Sequence, residues 1–201
     1  MELMDFRPFF QHIFPQSRLN HSLRILISIN ASYVFIMGMF LPFYALFIQK
    51  LGVGIAFAGF SWALLQIVTG VLIFAFGNLE IRVKEQELLL AISYFLRGIV
   101  FLSYAVMGSI TQLFVTQILW GVAAALGVPS FDSVYASHTS QGDSILQWGN
   151  WEGIAAIATG FAALVGGLVI ESFGFTPVFI GMAAISVGLG IYIWLLPRDV
   201  L

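Results

Sequence analysis

The chain has 201 residues, of which 60% are hydrophobic and 9% charged, and its 8 Lys/Arg against 10 Asp/Glu give a net charge of −2. A soluble domain carries about 25% charged residues, so this chain cannot cover a water-facing surface; a soluble enzyme and a nucleic-acid binder are excluded, and no polyanionic partner is implied. The absence of cysteine removes disulfide frameworks, thiolate metal sites and cysteine nucleophiles, and an integral membrane protein remains.

In residues 1–22, Phe6, Phe9, Phe10, Ile13 and Phe14 fall at helical spacing with Arg7 and His12 among them. This predicts a short interfacial helix on the cytoplasmic face, ended by Pro15; a disordered tail is the alternative reading. The segment is not a cleavable signal, because the apolar run after it is too long and no small-x-small site precedes a mature domain. A membrane-crossing helix needs about 20 apolar residues. Six stretches qualify, 24–48, 54–77, 88–107, 110–136, 147–171 and 176–196. A β-barrel would show segments of alternating polarity, whereas runs such as Ile118 to Val128 are unbroken. The expected fold is all-α, a six-helix transmembrane domain over 23–197 followed by a tail over 198–201. Short loops leave no room for a soluble domain. Arg7, Arg18, Arg24, Arg82, Lys84 and Arg198 fall on one side and Lys50 on the other. That bias predicts cytoplasmic termini and a multi-pass protein of the plasma membrane.

Polar residues within the spans are the candidates for function, because an ionisable group in hydrocarbon costs ~2.5–3.5 kcal/mol on insertion scales. Arg97 lies near the midplane of the third span, Glu152 in the cytoplasmic third of the fifth, Asn30 at a similar depth on the first, and Gln66 near the middle of the second. Asp132 lies near the cytoplasmic end of the fourth span, within reach of the loop residues Arg82 and Lys84. Arg97 and Glu152 differ in depth by about 5 Å, which makes them a possible ion pair. Either pair could be a static structural contact or part of a cycle. Asn30 and Gln117 could equally bond neighbouring helices or line a cavity, and Trp148 and Trp151 sit where an aromatic belt is expected. Small residues at four-residue spacing, Ala158, Ala162 and Gly166 on the fifth span and Gly121 and Ala125 on the fourth, predict close helix contacts.

The order of these features resembles half of a major facilitator superfamily transporter, over about 24–197. Gly38-Met39-Phe40-Leu41-Pro42-Phe43-Tyr44 followed by Lys50-Leu51-Gly52 is similar to the family's Pro-bearing end of the first helix and its short external loop. The segment 77–86 stands where the family has its Gly-x-Leu-x-Asp-Arg-x-Gly-Arg-Arg signature, of which Gly77, Leu79 and Arg82 remain. Ile81, Lys84, Glu85 and Gln86 depart from it. Gln117, Gly121, Gly127 and Pro129 match the fourth helix in spacing, and Gln117 replaces the family's Arg. Ala158, Ala162, Ala163, Gly166 and Gly167 match the fifth, with Ala162-Ala163 in place of Gly-Pro.

The resemblance implies one six-helix half built as a 3+3 repeat, with a solute site between two halves that rock against each other. It makes Asn30, Arg97, Gln117 and Glu152 substrate or coupling candidates. Gly77, Arg82, Lys84 and Asp132 become a cytoplasmic latch, and Ala158, Ala162, Gly166 and Gly167 a packing surface that could meet the other half. The partners expected are the bilayer, a small solute and a second six-helix half, most simply another copy in a parallel homodimer. A non-transporting scaffold derived from a half-transporter is the alternative. A piece of a longer product is a third reading, against which a start at Met1 and an end just after Pro197 weigh. No paired intramembrane aspartate, His-x-x-x-His spacing, nucleotide loop or intramembrane Ser/His pair occurs, so neither an enzyme nor a cofactor or metal is expected.

Overall fold

The structure is a computed structural model that describes residues 19–80, 83, 85–197 and 200–201, the side chains of 78–80 excepted. The interfacial helix expected before residue 19, and Arg82, Lys84 and Arg198, lie outside the described residues.

Among the described residues all regular structure is helical. The elements are α1 (His21–Gly38), a 3-10 turn (Leu41–Phe43), α2 (Tyr44–Lys50), α3 (Ala56–Glu80), α4 (Gln86–Ala105), α5 (Ile110–Ser137), α6 (Ser144–Phe173) and α7 (Phe175–Leu195). They give six stretches long and apolar enough to cross a membrane, with α1 and α2 sharing the first. The first span is therefore not the continuous helix expected over 24–48. Pro42 has no N–H to give to the carbonyl of Gly38. The chain instead tightens through i+3 bonds, Phe40 N to Met37 O at 3.1 Å and Phe43 N to Phe40 O at 2.9 Å, before α2 resumes.

Helix ends follow from local side chains. Asn20 caps α1 by accepting from Leu23 N at 2.8 Å, and its amide donates to His138 O at 2.9 Å, tying the start of α1 to the end of α5. Ser109 accepts from Gln112 N at 3.1 Å while the Gln112 side chain accepts from Gly108 N at 3.1 Å. This nearly reciprocal capping satisfies two donors at the start of α5. Gly174, at φ +79°, lets α6 and α7 meet with no intervening loop, a backbone conformation that disfavours a residue with a Cβ.

The principal long packings are α1 on α6, α3 on α5, and α4 on both α5 and α7. Exchanging the first three spans for the last three converts the first pair into the second and returns α4–α7 to itself, the pattern of a 3+3 repeat. Small residues set the close approaches. A Cβ built on Gly166 would lie 2.2 Å from Met39 O, one on Gly121 2.7 Å from Val68 Cγ1, and one on Gly98 2.6 Å from Val187 Cγ2.

Burial falls into two clusters. One gathers Leu23, Leu26, Leu90, Tyr94, Phe131 and Tyr135 toward the N-terminal end of the bundle. The other gathers Phe40, Phe47, Phe101, Tyr104, Trp120 and Phe179 toward the opposite end. On α4 the residue between them on the same face is Arg97.

Candidate functional site

At this waist the bundle opens into a concavity of about 300 Å³, lined from α1 by Tyr33, Val34, Met37 and Gly38, with Leu41 beyond; from α3 by Trp62, Leu65 and Gln66; from α4 by Arg97; from α5 by Trp120, Ala124 and Val128; and from α6 by Thr159. Two further grooves lie against the other side of α1, toward α7 and Leu189.

Arg97 is the charge of the concavity, and it is only 4% exposed. Eleven residues into α4, it sits about 17 Å from the start of that helix, half-way across a ~30 Å hydrocarbon core. Its guanidinium lies over the Tyr33 ring at 4.2 Å and near the Tyr94 ring at 5.1 Å. The Tyr94 hydroxyl interacts with it and donates to Asn30 Oδ1 at 3.2 Å. Nε has no hydrogen-bond partner, and among the described residues no carboxylate pairs with the group. Cation–π contacts contribute about 2 kcal/mol when desolvated. Two rings can thus offset much of the insertion cost without supplying any negative charge. Gly127 makes the arrangement possible, since a Cβ there would meet Ser93 Oγ at 2.5 Å and an Arg97 terminal nitrogen at 2.7 Å.

The structure brings Asn30 and Arg97 together through Tyr94 and separates them from the other two substrate candidates. Gln117 is fully buried and outside the concavity. Its amide donates to the Tyr44 hydroxyl and, at 3.0 Å, to the Tyr104 hydroxyl, and Tyr44 meets Ser61 Oγ at 2.5 Å. These bonds tie α2, α3, α4 and α5 together. The expected Arg97–Glu152 pair does not form: Glu152 is exposed on α6, and the charge it acts on is that of Asp132. Matching depth did not place the two side chains on facing surfaces. Asp132 is exposed on α5, and Gly77 is half-buried with open space at its Cβ position.

On the Ala158, Ala162, Gly166, Gly167 surface, Ala162 and Gly166 are buried within the bundle and Ala158 and Gly167 are half-buried. A Cβ built on Gly38 would lie 2.9 Å from Ala162 Cβ, Gly166 lies on the Met39 backbone, and a Cβ built on Gly167 would lie 3.1 Å from the Phe43 ring. Ala158 borders the groove formed with Phe35 and Leu189. The outward face of α6 carries a different set, Gly149, Gly153 and Gly160, where an added Cβ would meet nothing. Sequence reasoning missed Tyr94 and Trp62. The signal for Tyr94 was its position one turn before Arg97, with Phe101 and Tyr104 continuing the same face.

Comparison with known proteins adds the family. The Major Facilitator Superfamily profile matches residues 26–200. A relative in Bacillus subtilis (strain 168), described as an uncharacterized MFS-type transporter, YitZ, is 27% identical over 146 residues, covering 72% of this chain and 88% of the relative. The larger share of the relative means that it too is a short chain. With six apolar spans in a 3+3 arrangement and a profile match over most of its length, this half-length membrane protein belongs to the Major Facilitator Superfamily.

Proposed function

We propose that the chain is one lobe of a small-solute transporter that works by alternating access, as a twofold homodimer in which a second copy supplies the facing lobe. Family membership supports transport in general. The observation that carries the finer reading is a waist concavity with a buried cation, flanked by two spans that stay largely bare. Within their most apolar windows, α3 and α6 are each 17% buried, against 50% for α4 and α5. Gly149, Gly153 and Gly160 on α6 and Gly59 on α3 leave open space on those bare faces, as close backbone approach between membrane helices requires. A twofold axis through the concavity would lay α3 of one copy on α6 of the other, twice over, in a self-complementary interface. Rocking about that interface would expose the waist to each side in turn. A non-transporting scaffold shares the family but gives no reason for a buried charge facing a concavity.

Native mass measurement of the full chain in lipid nanodiscs tests the dimer. The expected result is a two-copy species that Gly153→Leu converts toward one copy. A strictly single-copy wild-type protein would rule the homodimer out.

A further inference from the structure

We infer that the solute class of the waist is an organic carboxylate with an apolar or aromatic body, and that Arg97 is the group that holds the carboxylate. The inference rests on the waist being the solute site, but it needs neither a dimer nor flux.

The charge comes first. Arg97 is 96% buried, faces the concavity, has an unpartnered Nε and has no acidic partner among the described residues. Tyr33 and Tyr94 make the cation tolerable through their ring faces, but neutral rings leave its field intact. In a medium of low dielectric that field is far stronger than in water. The missing counter-charge is therefore available to a ligand. A second copy across the axis would add another guanidinium and strengthen the same preference.

The donor set narrows the anion. Besides Arg97, the side chains of the lining that can hydrogen-bond are Tyr33, Gln66, Thr159 and the indole N–H groups of Trp62 and Trp120. A guanidinium fork matches a carboxylate through two parallel bonds. A phosphate, with three oxygens and up to two charges, would leave part of its surface against Val34, Met37 and Leu65, which offer no donors. The body follows from the rest of the wall, where Trp62 and Trp120 stand edge to face, 6.5 Å between ring centroids. Indole faces beside apolar side chains match a flat or aliphatic body, and the few polar groups of the lining would leave most hydroxyls of a polyhydroxylated one without partners.

The test uses the purified full chain in nanodiscs and three acid–amide pairs: benzoate and benzamide, indole-3-acetate and its amide, octanoate and octanamide. Binding is read by calorimetry on wild type, Arg97→Lys and Arg97→Gln. At least one acid should bind wild type about tenfold or more tighter than its amide, since truncating a buried charge pair costs more than one decade of affinity. The preference should shrink in Arg97→Lys, which lacks the fork, and vanish in Arg97→Gln. No preference for any acid in wild type, or a preference that survives in Arg97→Gln, would overturn the inference. If Arg97→Gln fails to fold, the wild-type ratios decide the solute class and the ratio in Arg97→Lys decides the role of Arg97. Native mass on the same sample keeps the proposals apart. A single-copy protein that prefers acids fails the dimer and upholds the carboxylate, and a dimer that carries solute without preferring acids does the reverse.

Discussion

Gln117 and Arg97 are both polar residues deep in apolar helices, yet the structure gives them opposite surroundings. Each has one buried atom without a partner, Arg97 Nε and Gln117 Oε1, but Arg97 faces a concavity whereas Gln117 is sealed in the core with its Nε2 donating to two tyrosine hydroxyls. Hydroxyls both donate and accept, so the Gln117 amide can serve them with either end. Replacing Gln117 by Leu removes a partner from both buried hydroxyls. The Tyr44 hydroxyl keeps Ser61, so the loss is that of individual hydrogen bonds, about 0.5–1.5 kcal/mol each, and less on average between membrane helices. Gln117→Leu should therefore lower the detergent melting temperature while leaving the acid–amide binding ratio intact. A variant that melts like wild type but loses that ratio would return Gln117 to the solute site. At this scale the sequence identified which residues are unusual and roughly how deep they lie. Depth follows from 1.5 Å per residue, but direction around the helix needs an apolar and a polar face, and a helix apolar on all sides has neither. Arg97 and Glu152 illustrate the gap: they are close in depth and face different neighbours.

The spans themselves were legible to within three residues at each end, because length and hydropathy alone define a crossing helix. The break in the first span was signalled by Pro42, although its 3-10 form depends on the turn at Met39 and Phe40. The faces of α6 were not legible, since glycine and alanine recur on both sides of it and the chain alone does not say which side meets α1. The contrast between the two sides is measurable. A Cβ at Gly166 would meet the Met39 carbonyl oxygen at 2.2 Å and its Cα at 2.5 Å. Backbone cannot swing aside as a flexible side chain does, so Gly166→Ala should destabilise the chain by about 1–3 kcal/mol, the usual range for overpacking. Gly160→Ala adds its methyl to space that is open within one copy, so in the Gly153→Leu background, where the second copy is weakened, it should shift the melting temperature by a degree or two at most, about 0.5 kcal/mol for a surface position. Equal shifts from the two substitutions would show that α6 does not press on α1 at that point.

The whole molecule poses the question of which way it sits in the bilayer and whether the second copy proposed above would sit the same way. Six crossings return the chain to the side on which it began, so the α5–α6 connection shares that side and the end of α2 lies opposite. The distribution of Lys and Arg, six residues at or beyond the span ends on one side against Lys50 alone on the other, predicts that the N-terminal side is cytoplasmic, and each basic residue near an anionic leaflet surface adds about 1 kcal/mol to that preference. The bias belongs to the sequence, so it acts alike on every copy and favours a parallel pair. The cysteine-free chain makes this directly measurable. Gln49 and Gln141 are both exposed, at the end of α2 and between α5 and α6, and either can become a unique thiol. In intact cells a membrane-impermeant maleimide should label Gln49→Cys fully and Gln141→Cys only after permeabilisation. Partial labelling of both from outside would mean two orientations in one membrane. The facing lobe would then come from an inverted copy, and the twofold axis would lie in the membrane plane instead of along its normal. Such a pair would set α3 against α3 and α6 against α6 instead of α3 against α6, while the two Arg97 side chains, near mid-depth, would stay at the waist.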